Sequence, residues 1–311
     1  MEIIWIALTI AAFVCLLVLL ISYICFKIAF FVERKKVRAS DDVELPEGEI
    51  YLPHREQIVN WARETRNLPH EEFMIKSFDG LDLCGKYYEF SKNAPIELMF
   101  HGYRGTAERD LSGGVQRCFK LGRSALIVDQ RCSGKSGGNV ITFGVNEHRD
   151  CLKWVEFMVE QFGSDVKIIL TGISMGASTV LMAGGKELPK NVIGILADCG
   201  FTSAKDIIKK VIGQMKLPVN ISYFFVKMGA RIFGHFDLEE TSAIEEVKKC
   251  RIPVIFIHGE ADDYVPCEMS RRLFEACNSR KELVTVPGAG HGLAFLVGNE
   301  LYFEKVTNFK Y

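Results

Sequence analysis

The chain has 311 residues, 48% of them hydrophobic, with 38 Lys and Arg against 39 Asp and Glu and a formal net charge of −1. Less a leading apolar segment, about 240–280 residues remain, enough for one large α/β domain with a real core. The near-neutral balance excludes a global pull toward nucleic acid or an anionic surface, and neither an internal repeat nor a low-complexity tract is present.

The first element is a segment without charge, Ile3 to Phe26. At ~1.5 Å per residue it is long enough to cross a bilayer core with some tilt. A cleaved signal peptide would carry a basic leader, a shorter apolar core and a small-residue cleavage site. Only Met1-Glu2 precedes this segment and no A-x-A follows it, so it reads as an uncleaved anchor. Lys27, Arg34, Lys35, Lys36 and Arg38 follow it. By the positive-inside rule they direct the rest of the chain to the cytoplasm. The same cluster could touch anionic headgroups, but a topology signal explains it fully. The expected organisation is anchor and basic flank at 3–32, juxtamembrane linker at 33–69 and a catalytic domain at 70–311.

Within the linker, His54 to Asn67 has the spacing of a short amphipathic helix, with Ile58, Trp61 and Ala62 on one side and Pro69 beyond its end. Asp79-Gly80 between two strand-like runs signals a hairpin. The apolar runs IELMFHG, SALIVDQ, VKIILTG, VIGILADCG, IPVIFIHG and KELVTVPG follow. Helical patterns separate several of them, at 146–162 (Asn146 as N-cap, Gly163 as stop), 175–187 and 267–277. Continuous apolar strands between helices predict a mostly parallel central sheet with helices on both faces, edged by the antiparallel hairpin. Residues 201–250 interrupt the alternation with capping patterns at Ser203 and Ser242 and the apolar run ISYFFVKMGARIFG. They read as a helical cap insertion over the strand ends, where ligands of such sheets bind.

The 10 cysteines form no C-x-x-C pair, and no His cluster completes a zinc spacing. Several lie in apolar runs, which suits reduced, packed thiols and a cytosolic setting, although their even number leaves disulfides open. Nothing implies a metal or organic cofactor.

Two stretches match G-x-S-x-G: Gly134-Lys-Ser136-Gly-Gly138 and Gly172-Ile-Ser174-Met-Gly176. A nucleophilic serine needs a sharp strand-to-helix turn, with free N–H groups of the helix start aimed at developing charge. Ser174 has that context, because KIIL precedes it and MGASTVLMAGGK follows. Ser136 does not, since GGNVITFG starts no helix. A phosphate loop ending in Gly134-Lys135-Ser136 would need Gly at position 129, which is Asp129. An acid follows in HGEADDYVP (Asp262 or Asp263) and a histidine in GAGHG (His291), giving the order Ser, Asp, His. His291 would take the Ser174 proton, and the acid would hold its tautomer. Backbone N–H groups of Met175 and of Tyr103, in HGYRG, are the oxyanion-hole candidates. His101 and His258 read as loop-holding residues; His54, His70, His148 and His235 read as surface residues.

Together HGYRG, GISMG, HGEADDYVP and GAGHG resemble the α/β-hydrolase superfamily, in the serine-hydrolase branch of monoglyceride-lipase-like and serine-aminopeptidase-like proteins, over about residues 70–305. The resemblance implies Asp262 as the acid, with Asp263 and Asp198 as alternatives. It also matches Asp129–Gly138 to a structural loop motif, from which Cys132 departs where glycine is usual. The expected activity is hydrolysis of a carboxylic ester or thioester through an acyl-enzyme on Ser174, with amides disfavoured by their poorer leaving groups. The expected partner is a small acyl substrate, lipid-derived if the anchor is a guide, with no nucleic acid. A catalytically silent scaffold and an acyltransferase with the same residues are the alternatives. Substrate identity and oligomeric state are not legible.

Overall fold

The computed structural model describes residues 1–33, 43–46 and 48–311. Arg34, Lys35, Lys36 and Arg38, and part of the expected linker, lie outside the described residues. Helix α1 (Glu2–Ala29) is followed by a 3-10 turn (Glu49–His54) and α2 (Arg55–Asn67). The hairpin comes next, β1 (Glu71–Lys76) and β2 (Asp82–Tyr88). Gly80 takes φ +91° at its tip, and Ser77 and Leu81 close the turn by a 2.8 Å backbone hydrogen bond.

The core then alternates: β3 (Ile96–Phe100), α3 (Ala107–Lys120), β4 (Ser124–Val128), α4 (Glu147–Phe162), β5 (Ile168–Ile173), α5 (Met175–Gly184) and β6 (Val192–Asp198). Three helices interrupt, α6 (Ala204–Gln214), α7 (Val219–Phe233) and the short α8 (Ala243–Glu246). The chain ends with β7 (Val254–Gly259), α9 (Cys267–Ala276), β8 (Lys281–Val286), α10 (Ala294–Val297) and α11 (Asn299–Asn308). One 8-stranded sheet results, in the order β1-β2-β4-β3-β5-β6-β7-β8. The β1–β2 and β2–β4 pairings are antiparallel and the remaining five are parallel. Every residue of β3 and β4 is buried, which is why these strands, Glu97 apart, read as apolar runs. The fold is that of an α/β-hydrolase, and all ten cysteines are free thiols.

Local differences from the sequence reading have identifiable causes. Helix α3 is absent from that reading because Gly113 and Gly114 interrupt its pattern at about 1 kcal/mol each. Thr106 caps it by accepting the Arg109 N–H at 3.2 Å, and Leu111, Val115 and Cys118 bury its inner stripe. The Asn146 side chain does not cap α4. The Glu147 carboxylate instead accepts the N–H groups of Thr142 and Gly144, each at 2.8 Å. Helix α5 stops at Gly184, short of residue 187. His148 is buried, its Nδ1 3.1 Å from the Gly144 carbonyl, rather than on the surface.

One core feature is ionic. Glu97 on β3 is fully buried between Arg117 and Arg123, with Arg123 Nη1 at 2.7 Å and Thr171 Oγ1 donating at 3.0 Å. Burial pushes the Glu97 pKa up, but the two guanidinium groups outweigh this and hold it below the usual range. Removing one member of such a set strands the others without compensation. Glu97→Gln is therefore expected to lower unfolding free energy by about 3–5 kcal/mol, measured by thermal and denaturant unfolding in detergent; an unchanged midpoint would contradict this account.

Candidate active site

The parallel strands end at a common edge, and the end of β5 carries Ser174. Ser174 sits between β5 and α5 with φ +56° and ψ −116°, a conformation that costs a non-glycine residue of order 1–3 kcal/mol. The flanking glycines make it attainable. A Cβ on Gly172 would overlap the Gly176 backbone, and one on Gly176 would overlap the Phe100 carbonyl. Helix α5 is buried throughout, so the elbow is fixed from below.

His291 Nε2 accepts the Ser174 hydroxyl at 2.9 Å, and His291 Nδ1 donates to Asp262 Oδ2 at 2.7 Å. The other oxygen of Asp262 accepts the N–H groups of Tyr264 (3.0 Å) and Val265 (2.8 Å). His258, fully buried, lies 3.2 Å from Asp262 and is itself held by Ser270 and the Val265 carbonyl. Burial alone would raise the Asp262 pKa; hydrogen bonds from His258, His291 and Val265 overcome it and hold the carboxyl at about 2. Tyr51 donates its hydroxyl to the His291 carbonyl at 3.0 Å, tying the 3-10 turn to the histidine loop.

The other two acids are placed differently. Asp263 is exposed, and its carbonyl is met by Lys210 and by Gln214. Asp198 is buried beside the site, its Oδ1 without a hydrogen-bond partner among the described residues. Burial lifts its pKa to about 6, opposed by His258, Arg117 and His291 and reinforced by Asp262.

The loop after β3 passes close to Ser174. A Cβ built on Gly102 would lie 3.6 Å from Ser174 Cβ. Asp110, at the start of α3, accepts the Gly102 N–H at 3.1 Å and fixes the loop. His101 locks it from behind, accepting the Gln130 N–H at 3.0 Å. The N–H groups of Tyr103 and Met175 donate to no partner among the described residues. Cys199, fully buried with φ +47°, has its thiol within 4.8 Å of the Asp262 and His291 donor atoms.

Ser136 has a different role. Its hydroxyl donates to the Asp129 carbonyl at 2.5 Å and accepts the Cys84 N–H at 2.9 Å. Arg131 spans the same loop, bonding both Asp150 oxygens at 2.7 and 2.8 Å and Asp79 at 3.1 Å. Cys132 takes φ +72° there, a left-handed position that favours glycine.

Beside Ser174 opens a cavity of about 730 Å³. It runs inward along the sheet to Thr171, Leu196 and Arg117, under the side chains of Trp61, Leu111 and Phe295. Its walls are the 3-10 turn, α2, α3 and the chain around α10. No residue of 201–250 lines it.

The family model for the prolyl oligopeptidase family matches residues 140–309. The chain belongs to that family. Members of the family share the α/β-hydrolase fold seen here, and the chain is a serine hydrolase. Protein YqkD of Bacillus subtilis is 28% identical over 243 residues, covering 76% of this chain and 78% of that protein. Protein bem46 of Schizosaccharomyces pombe is 26% identical over 251 residues, covering 78% and 77%. The esterase Pf2001 of Pyrococcus furiosus superposes with a TM-score of 0.61 at 19% identity, covering 86% of this chain and 97% of that one, a likeness of fold.

The raised pKa of Asp198 has a consequence for stability. An acid whose pKa rises on folding, here from ~4 when unfolded to about 6, costs stability increasingly as pH climbs between those values. Asp198→Asn is expected to raise the unfolding free energy near neutral pH by up to about 3 kcal/mol. That gain should shrink toward pH ~4; a gain independent of pH, in melting curves taken across this range, would contradict it.

Proposed function

We propose that the protein is a membrane-anchored hydrolase of carboxylic esters or thioesters, acting through an acyl-enzyme on Ser174. The observation that carries this reading is the continuous hydrogen-bonded series Ser174, His291, Asp262 at the mouth of a cavity with mixed apolar and polar walls, with two unengaged N–H groups beside it. In this reading His291 removes the Ser174 proton as Oγ attacks the acyl carbon, then delivers it to the leaving group. Asp262, ionised at any working pH, holds the Nδ1–H tautomer and stabilises the imidazolium. The N–H groups of Tyr103 and Met175 receive the oxyanion, and removing one such donor typically costs a factor of about 10²–10³. Water enters after the leaving group departs and repeats the sequence.

The inner arm of the cavity suits the acyl group. Thr171 lies three residues before Ser174, so the arm is ~10 Å deep at strand spacing. That depth matches an acyl chain of about six to eight carbons. The family match favours one second reading, cleavage of an amide. Paired p-nitrophenyl esters and p-nitroanilides of the same acyl group separate the two.

The anchor reading rests on α1, 28 residues long with a mean hydropathy of 3.0 in its most apolar window, none of it buried. Further along, Ser22, Phe26 and Phe30 are buried, Phe26 and Phe30 in one cluster with Phe143, Ile207 and Phe236. Removing α1 as a leader would strip core residues from the domain, which favours a retained anchor. The preferred orientation, from the flanking charges, places the hydrolase domain in the cytoplasm.

A fluorophosphonate probe is expected to label wild type and Ser136→Ala but not Ser174→Ala. Labelling lost only in a correctly folded Ser136→Ala would overturn the choice of nucleophile, and labelling of none would favour a silent scaffold. Asp262→Asn should lower kcat by about 10³–10⁴-fold, while Asp198→Asn should stay within a few-fold; the reverse pattern would make Asp198 the acid. Leu196→Phe should cut kcat/KM for octanoyl esters by roughly tenfold or more with acetyl esters little changed. An unaltered chain-length profile would remove the acyl chain from that arm.

A further inference from the structure

Helix α7 carries an apolar face that nothing among the described residues covers. Ile221 is 63% and Phe224 53% exposed, and Ile232 is exposed on the same helix. Met215 and Leu217, in the turn before it, are exposed as well. Residues at 221, 224 and 232 fall three and eight apart, within one side of a helix. The helix has two cations, Lys227 and Arg231, and no acidic residue.

What covers the face is indicated by what α7 packs against. Its inner side lies along the last turns of α1. A Cβ on Gly229 would press on the Ser22 carbonyl and lie 3.1 Å from Phe26, so the two backbones touch through small residues. Such close seams are characteristic of helix pairs inside membranes. Phe233 joins the seam, its ring 5.2 Å from Tyr23 and 6.0 Å from Phe26. Ser22 and Phe26 belong to the charge-free segment of α1. If that segment crosses the bilayer, the seam lies at its inner boundary and α7 must lie there too.

We infer that α7 and the Met215–Leu217 turn are a second membrane contact, seated in the phospholipid bilayer that α1 crosses. This rests on the reading of α1 as a retained anchor. An apolar helix face of this kind sinks about 5–10 Å into the boundary between headgroups and acyl chains. Arg231 has a stem long enough to reach headgroups from that depth, while Lys227 is paired with Glu239 at 2.6 Å. The active site is drawn to the same level. Tyr103 donates its hydroxyl to the Ala29 carbonyl at 2.8 Å, and Arg104 donates to the carbonyls of Ile28 (2.8 Å) and Phe31 (3.2 Å). Phe31 also pairs with Val140 as an antiparallel bridge. The loop beside the nucleophile is thus bonded to the end of the anchor, and the cavity mouth at Tyr103 and Arg104 faces the membrane surface. An ester dissolved in the bilayer would meet that mouth without crossing water.

The test uses tryptophan fluorescence of the full-length protein in phosphatidylcholine vesicles brominated high on the acyl chains. Trp154 is buried and Trp61 is stacked on Phe295 of the hydrolase domain, so Trp5 reports the anchor in wild type. The double variant Trp5→Phe/Phe224→Trp reports α7, with Trp5→Phe alone as background. Quenching of wild type and of the double variant to a similar degree, above that background, is the expected result. Quenching of wild type with an unquenched double variant would overturn the α7 contact and leave the anchor standing. In that case concentration-dependent dimerisation would identify a second copy as the cover. Quenching of neither would remove the anchor reading, and this inference with it.

Discussion

Two backbones meet at van der Waals limits where β3 passes the start of α5, and the site is built around that contact. Gly176 admits the Phe100 carbonyl, Gly172 admits Gly176, and Ser174 is left with a backbone it would not choose alone. The strain is held by a fully buried helix on one side and a fully buried strand on the other. The same contact brings the loop after β3, with Gly102 and Tyr103, against the serine. The proposed nucleophile and its neighbouring N–H groups are therefore positioned by packing rather than by side-chain choice.

The rest of the molecule adds walls to this centre from unexpected places. The turn at Glu49–His54 and helix α2, which precede the sheet, form one side of the cavity, and Tyr51 reaches across to the histidine loop. Helix α3 supplies the other side, and its Asp110 fixes Gly102. The insertion at 201–250 packs on α1 and leaves the cavity uncovered by it. Its apolar surface therefore bears on the proposed membrane contact rather than on the choice of substrate. The burial of Phe26 and Phe30 likewise makes the end of α1 part of the domain, not a tether attached to it.

The strands, their parallel order and the hairpin were legible because burial on both faces writes an unbroken apolar run, and Asp79-Gly80 writes a turn. Ser174, Asp262 and His291 stood out as candidates because each lies just beyond a strand in a short motif whose glycines are sterically required, and the structure brings the three side chains together. Choosing among Asp262, Asp263 and Asp198 from the residues alone was not possible; that choice needs the ring of His291, which only the fold brings to Asp262. Helix α3 was hidden by its paired glycines, and Glu97 by the apolar residues around it, since its partners Arg117 and Arg123 are distant in sequence. Tyr51 carried no signal at all, because a single contact to a backbone carbonyl leaves no pattern in the chain. Cys132 was visible as a departure from the family motif, and its positive φ explains why glycine is usual there.

The central claim is that Ser174 carries the acyl group during turnover. Rapid acid quenching of the full-length protein with p-nitrophenyl butyrate, followed by peptide mass spectrometry, tests it directly. The account predicts a butyryl adduct on the peptide containing Ser174, absent from the peptide containing Ser136. Turnover with no adduct under pre-steady-state sampling, or with the adduct on Ser136 or a cysteine, would contradict it.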